Sequence, residues 1–437
     1  MIKTSRNNNY RRSKVYTAVR RYIRGSRKKK KFIPGKSRVP YAGRVYDESE
    51  ILGIVDSALD FWLTAGRVTK ELEKRLKDYL KAKSFLLVNS GSSANLLMIA
   101  SLCSGRSRGR LRPGDEVITP AVTFPTTVAP VLQYGLVPVF VDAKIGTYNI
   151  DEDLIDRAVS KKTKVIFIPH TLGNPCDMDK ITRLARKYGL IVLEDACDAL
   201  GSRYKGKMVG TFGAMSSFSF YPAHHMTMGE GGGVAINDAA MSKHAASIRD
   251  WGRDCYCQTG MSGSCGKRFS MKMGRLPFGY DHKYIYSEIG YNLKVTEMQS
   301  AVGLAQFEKL DKFIQKRKDN FNSYYSGLSD CQERIILPSA VNGADPAWFG
   351  FPISCREGLD RLELIKRLES SNIETRLMFG GNITRQPVFK GINYRISGDL
   401  DRSDYIMNNT FFIGVYPGLT GEMIDYVITR IRDFIKK

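Results

Sequence analysis

Four cysteines and two adjacent histidines are the residues of this 437-residue chain whose types and spacing most plainly offer chemistry. Cys197, Cys255, Cys257 and Cys265 fall in "EDACDALG" and "RDWGRDCYCQTGMSGSCGKRF". Four thiolates suit zinc or an iron–sulfur cluster. A Cys-x-Cys pair is tight for structural zinc, where about two to four residues separate ligands. Chance clustering is the third reading. His224 and His225 lie in "SFSFYPAHHMTMGEGGGVAIND", a loop with the build of a cofactor loop, yet no lysine occurs between Lys207 and Lys243. An imidazole there can accept and deliver protons near neutral pH.

Two further stretches could hold a ligand. In "NSGSSANLLMIA" (89–100), Gly91 permits a tight turn, and Ser92 and Ser93 stand beside the free N–H groups of a first helical turn, a natural phosphate seat. The alternative is a plain helix cap. In "LIVLEDACDALG" (190–201), Asp195 follows a buried strand and could pair with a cationic ring nitrogen; otherwise it caps the next segment.

These residues need elements to position them. Short apolar runs at 84–88, 116–120, 137–142, 164–169, 190–195 and 214–220 alternate with helical segments starting near Ser92, Pro125, Asp151 and Asp177. Such alternation predicts a largely parallel sheet wrapped by helices, with ligands beyond the carboxyl ends of the strands. Two amphipathic helices precede it, one beginning at Ser49 and one capped at Thr69. One long helix, 296–328, is expected to lead into a smaller α/β part. The division reads as a basic arm (1–40), a large domain (41–295) with a cysteine-rich insert (251–282), and a linking helix with a small C-terminal domain (296–437).

A phosphate seat, an acid behind a ring and a reactive loop come in the order used by fold-type I pyridoxal phosphate enzymes. The chain resembles the sugar aminotransferases of the DegT/DnrJ/EryC1/StrS family, whose loop reads Ser-Phe-x-x-x-Lys with the lysine joined to the cofactor. Here "SFYPAH" sets His224 at that position. With "YPAHHMTMGEGG" and the cysteine spacing, it is similar to the iron–sulfur CDP-4-keto-6-deoxy-D-glucose 3-dehydrase family, from about Tyr41 on. That resemblance implies a seven-stranded, mostly parallel sheet and non-covalent pyridoxamine phosphate. It also implies a [2Fe–2S] cluster on Cys197, Cys255, Cys257 and Cys265.

By the same resemblance, His224 is the base at the cofactor's C4′ carbon, and Tyr221 and Phe349 are aromatics near the ring. Gly91, Ser92 and Ser219 match phosphate-binding positions, and Phe124 the aromatic that stacks on the ring. Asp198 falls on the side of the ring hydroxyl. Asn292 matches an asparagine reaching the phosphate of a neighbouring subunit, which implies a homodimer. The implied reaction removes the C-3 hydroxyl of a CDP-linked 4-keto-6-deoxyhexose on the route to O-antigen dideoxyhexoses, with electrons from a separate flavin or iron–sulfur reductase. A cluster-free deoxygenase of the same fold, acting on GDP-4-keto-6-deoxymannose, is the competing expectation. A zinc-stapled sugar-nucleotide or nucleic-acid binder is another. One spacing argument is independent of the family. If the strand stays extended past Asp195, Cys197 points the same way two residues on.

Composition sets outer bounds. The net charge of +23 is uneven: residues 1–40 hold 15 Lys and Arg and no acid, leaving 52 basic against 44 acidic residues beyond. A solvated basic helix is the favoured reading of that arm over a nucleic-acid contact, since no nucleic-acid-binding module follows it. No apolar run reaches the roughly 20 residues of a membrane helix, and no signal-peptide core is present, so membrane insertion is not expected and a cytoplasmic location is. Cys103, Cys176, Cys331 and Cys355 read as small buried hydrophobes.

Overall fold

The computed structural model describes residues 6–26, 31–107, 109–255, 257, 263 and 266–435. Its centre is an eight-stranded sheet. Five of the strands are β1 (Ser84–Val88), β2 (Glu116–Pro120), β3 (Val137–Val141), β4 (Thr163–Pro169) and β5 (Ile191–Asp195). Met215–Ser219 lies parallel beside β5, and Gly232–Ile236 runs antiparallel between it and β1. The two-residue strand Arg395–Ile396 pairs parallel with β3 at the far edge. The expected seven strands are therefore eight, because so short an edge strand carries no readable alternation.

Both faces of this sheet are covered. Along β4, Val165 and Phe167 enter one core cluster while Ile166 and Ile168 enter the other. A strand apolar on both faces must lie inside an α/β sandwich, which is why "KVIFIP" reads as a continuous run. A second, antiparallel sheet joins Ile335–Ile336, Gly350–Cys355, Thr410–Gly414 and Thr375–Leu377. The helices Arg361–Ser370 and Gly421–Ile435 pack against its core.

Three helix expectations are revised: the caps of the second and third helices and the single span 296–328. Helix α1 (Arg6–Ser26) carries the basic arm, and Arg12 meets Asp56 at 2.9 Å while Arg20 meets Glu48 at 3.3 Å. Those acids belong to α2 (Glu48–Asp60), whose cap is Asp47 rather than Ser49: Asp47 accepts from the Ser49 N–H, and Glu50 reaches back to the Asp47 N–H. The single helix expected over 296–328 is two, Glu297–Phe307 and Leu310–Leu328. The break falls at Lys309, whose ammonium lies 2.7 Å from Glu50 and 2.8 Å from Asp47.

Helix α3 (Arg67–Leu80) buries Leu72, Leu76 and Leu80 on one stripe, yet its N-cap Gly66 offers no side chain. The cap comes from far away. The Glu297 carboxylate accepts from the backbone N–H of Gly66 (2.6 Å), Val68 (2.8 Å) and Thr69 (2.9 Å), and from the Thr69 hydroxyl. Glu297→Ala strands these buried donors, so about 2–4 kcal/mol of stability should be lost. Urea melts of the two proteins at equal concentration check this; an unchanged midpoint would show that water replaces the carboxylate.

Candidate active site

Five loops that leave the carboxyl ends of parallel strands meet in one cavity of about 540 Å³. After β1 comes α4 (Gly91–Cys103), capped by Ser90, whose hydroxyl accepts from the Ser93 N–H at 3.0 Å. Ser90, Gly91 and Ser92 line the cavity, with the helix N-terminus behind them. A Cβ on Gly91 would stand 2.6 Å from the Ser219 Cβ and 3.0 Å from the Cys197 sulfur, so only glycine lets these loops touch. A Cβ on Gly232 would collide with the backbone of Ser90. That explains the glycine cluster: the antiparallel strand must slide past the helix start.

After β5 the chain does not stay extended. Asp195 ends the strand, and Cys197 and Asp198 lie in a turn, which overturns the extended-strand argument for Cys197. Asp195 and Cys197 still line the same cavity, because the turn folds the Cys197 N–H back onto the Asp195 carboxylate at 3.2 Å. Asp195 is held from both sides. One oxygen accepts from Asn95 (2.9 Å) and Thr127 (2.7 Å), the other from the Cys197 N–H and Ser217 (3.3 Å). A carboxylate so fixed, 7% exposed, can face one ligand atom with little reorganisation.

His224 forms another part of the wall, beside the Cys197–Asp198 turn. Burial first, then the positive Arg317, push its imidazole down to about 3, against the backbone of Cys197. The ring is therefore neutral at pH 7. Asp198, 3.5 Å from the His224 Nδ1, is pushed up to about 8 by burial and by the charge of Asp195. With one partner uncharged and the other largely protonated, this contact is not an ion pair at neutral pH. His224 Nδ1 has no hydrogen-bond partner despite its burial. Phe349 packs on the ring with centroids 5.0 Å apart, and Tyr221, half exposed, lines the mouth. Among the described residues no lysine lines the cavity.

Phe124 projects into the cavity, 49% exposed, with Phe379 edge-on at 6.0 Å. Asn292 is not brought there: it is exposed and accepts from Lys294 at 2.6 Å. His225 is no idle neighbour of His224. It is 2% exposed, and its Nε2 sits 2.6 Å from the Ala347 carbonyl. Sequence reasoning missed His170, Asn95 and Thr127. His170 follows β4 directly and so stands at the ligand edge of the sheet, a position that could have marked it. Its Nε2 lies 3.1 Å from Glu194, and its Nδ1 accepts the Cys176 N–H.

The cavity suits a phosphorylated aromatic cofactor: a glycine-opened cradle at a helix start, a fixed carboxylate, an exposed ring to stack on, and an orphaned imidazole nitrogen. The cysteines fit a metal less well. The Cys257 N–H donates to the Cys255 sulfur at 3.4 Å, while the Cys197 sulfur lies 3.7 Å from Ser217. Among the described residues no group of three or more His, Cys, Asp or Glu side chains gathers to hold an ion, and Cys265 lies outside the described residues. Cys176, Cys331 and Cys355 are buried, and Cys103 partly so. No described helix is long and apolar enough to cross a membrane.

The sheet, its switch from parallel to antiparallel pairing and the loops at its carboxyl edge define the fold-type I pyridoxal phosphate class. Within that class the chain belongs to the DegT/DnrJ/EryC1/StrS aminotransferase family, whose pattern it matches over residues 46–432. It is 50% identical to the lipopolysaccharide biosynthesis protein RfbH of Salmonella typhimurium, over 97% of this chain and 98% of that protein. It is 46% identical to the dTDP-4-dehydro-2,6-dideoxy-D-glucose 3-dehydratase of Saccharopolyspora spinosa, covering 98% and 92%. The crystal structure of a mutant GDP-4-keto-6-deoxymannose-3-dehydratase (ColD) with bound GDP-perosamine superposes with a TM-score of 0.82 at 30% identity, over 90% of this chain and 99% of that one.

Proposed function

We propose that the protein is a pyridoxamine phosphate-dependent 3-dehydratase of a CDP-linked 4-keto-6-deoxyhexose, serving cell-surface polysaccharide synthesis. The observation that carries this is a neutral imidazole with an unpaired nitrogen in the wall of a cavity that also holds a fixed carboxylate and, among the described residues, no lysine. The cofactor, when bound, supplies an amine that condenses with a ketone and a ring that accepts electron density.

The chain's own groups do the rest. Ser90, Gly91, Ser92 and Ser219 hold the phosphate at the start of α4, and Phe124 covers one face of the ring. Asp195 accepts a hydrogen bond from the ring nitrogen and keeps it protonated. Asp198 lies on the side of the ring hydroxyl. His224 would take the proton from C4′ and, as imidazolium, give it to the departing C-3 hydroxyl, which leaves as water. Tyr221 and Phe349 close the apolar side and limit water near the reacting atoms.

Deoxygenation then needs two electrons, which a separate flavin or iron–sulfur reductase would deliver. Cys197, Cys255, Cys257 and Cys265 are the proposed ligands of a [2Fe–2S] cluster; the support is their spacing and the adjacency of Cys255 and Cys257. A homodimer would bring Asn292 to the neighbouring phosphate. Ile289, 97% exposed three residues before it, and Phe61, 78% exposed, are apolar surface of the kind subunits cover.

The test is anaerobic purification with iron and sulfide analysis, then incubation with pyridoxamine phosphate and CDP-4-keto-6-deoxy-D-glucose. Iron, sulfide and a sugar lacking one oxygen after reductase is added are the expected results. Cys257→Ser should lose iron and the reduced product yet keep pyridoxamine phosphate affinity within about threefold, since Cys257 is not in the cavity wall. Iron-free protein that deoxygenates GDP-4-keto-6-deoxymannose with glutamate alone would establish the cluster-free route instead.

A further inference from the structure

A cation lies buried behind the His224 loop. Arg317, in the helix Leu310–Leu328, is 2% exposed. One guanidinium nitrogen donates to the carbonyls of Ala223 and His224, both at 2.9 Å. The other donates to those of Phe349 (3.2 Å) and Trp348 (3.4 Å). Burying a charge among neutral carbonyls is expensive, and burial pulls Arg317 down to about 10. A lysine cannot reach four carbonyls in one plane, so the site uses what only a guanidinium offers. Both clamped segments carry a wall of the cavity, His224 on one and Phe349 on the other, and these rings touch.

We propose that Arg317 is a positioning residue for the dehydration: its guanidinium ties the backbone of Ala223–His224 to that of Trp348–Phe349 and so fixes the His224 imidazole against the cofactor cavity. This rests on the reading of His224 as the base.

The experiment compares wild type, Arg317→Lys, Arg317→Met and His224→Asn. In protein labelled with 15N-histidine, five imidazoles are present, and His224 is assigned by its loss in His224→Asn. In the wild-type apoprotein its signal should be single and sharp, as for one fixed ring, and in Arg317→Lys and Arg317→Met it should broaden or split. Arg317→Lys keeps the charge but loses the fork, and its kcat should fall about 30-fold or more, with KM and pyridoxamine phosphate affinity within about threefold.

Wild-type kcat in Arg317→Lys, or a His224 signal there as sharp as in wild type, would overturn the proposal. Should Arg317→Met fail to fold, the kcat and KM of Arg317→Lys decide alone. The two readings separate cleanly: dehydration retained by His224→Asn removes the base assignment, whereas dehydration lost there but kept by Arg317→Lys removes the clamp.

Discussion

His224→Lys should abolish deoxygenation, lowering the rate by about 10²–10⁴, the range that a positioned general base contributes. The new amine would enter a wall where burial and Arg317 already disfavour positive charge and where Asp198 stands 3.5 Å from the present ring. An amine whose charge is disfavoured is a better nucleophile toward an aldehyde. Added pyridoxal phosphate should therefore become covalently joined, and borohydride reduction followed by peptide mass analysis would find it at position 224. His224→Asn separates the two effects, losing the rate without gaining the bond. Undiminished dehydration in either variant would remove His224 from the mechanism.

Asp195→Asn is expected to be nearly as severe, slowing turnover about 10²-fold or more through loss of the charge facing the ring. Pyridoxamine phosphate should bind about ten- to a hundredfold more weakly, the worth of one charge-assisted hydrogen bond. The fold suffers too. Donors approach both carboxylate oxygens, from Asn95 and Thr127 on one side and the Cys197 N–H and Ser217 on the other. Whichever way the amide turns, its N–H groups meet other donors, at a cost of about 1–3 kcal/mol. An absorbance titration with the cofactor and a thermal melt of the apoprotein measure the two effects separately. Wild-type affinity would show that Asp195 serves the fold alone.

The parts of the site that could be read from sequence are those whose cause is local. Strands buried on both faces announce themselves as apolar runs, and "KVIFIP" and "SFLLV" lie where the runs do. Asp195 follows from the rule that ligands gather at strand ends, whereas the roles of Ser219 and His224 are what the resemblance of their loop implies. The strand Gly232–Ile236 was hidden because Gly232 answers to the backbone of Ser90 and Gly233 to the Phe85 ring, contacts no periodicity encodes. Asn95 and Thr127 were missed for a related reason. Each looks like an ordinary helix residue until Asp195, 100 and 68 positions away, accepts its hydrogen bond. Arg317 sits in a helix full of basic residues, and nothing in its neighbours tells it from the solvated ones. Only the meeting of Ala223 and Phe349 does so.

The remote cap on α3 bears on how the molecule is made. The acceptor for its first N–H groups lies 228–231 positions downstream, so a ribosome must extend past seven of the eight strands of the central sheet before that first turn can settle. Until then the nascent chain carries a frayed, leucine-striped segment near its beginning. Fragments ending short of position 297 should keep that segment open to proteases and holdase chaperones.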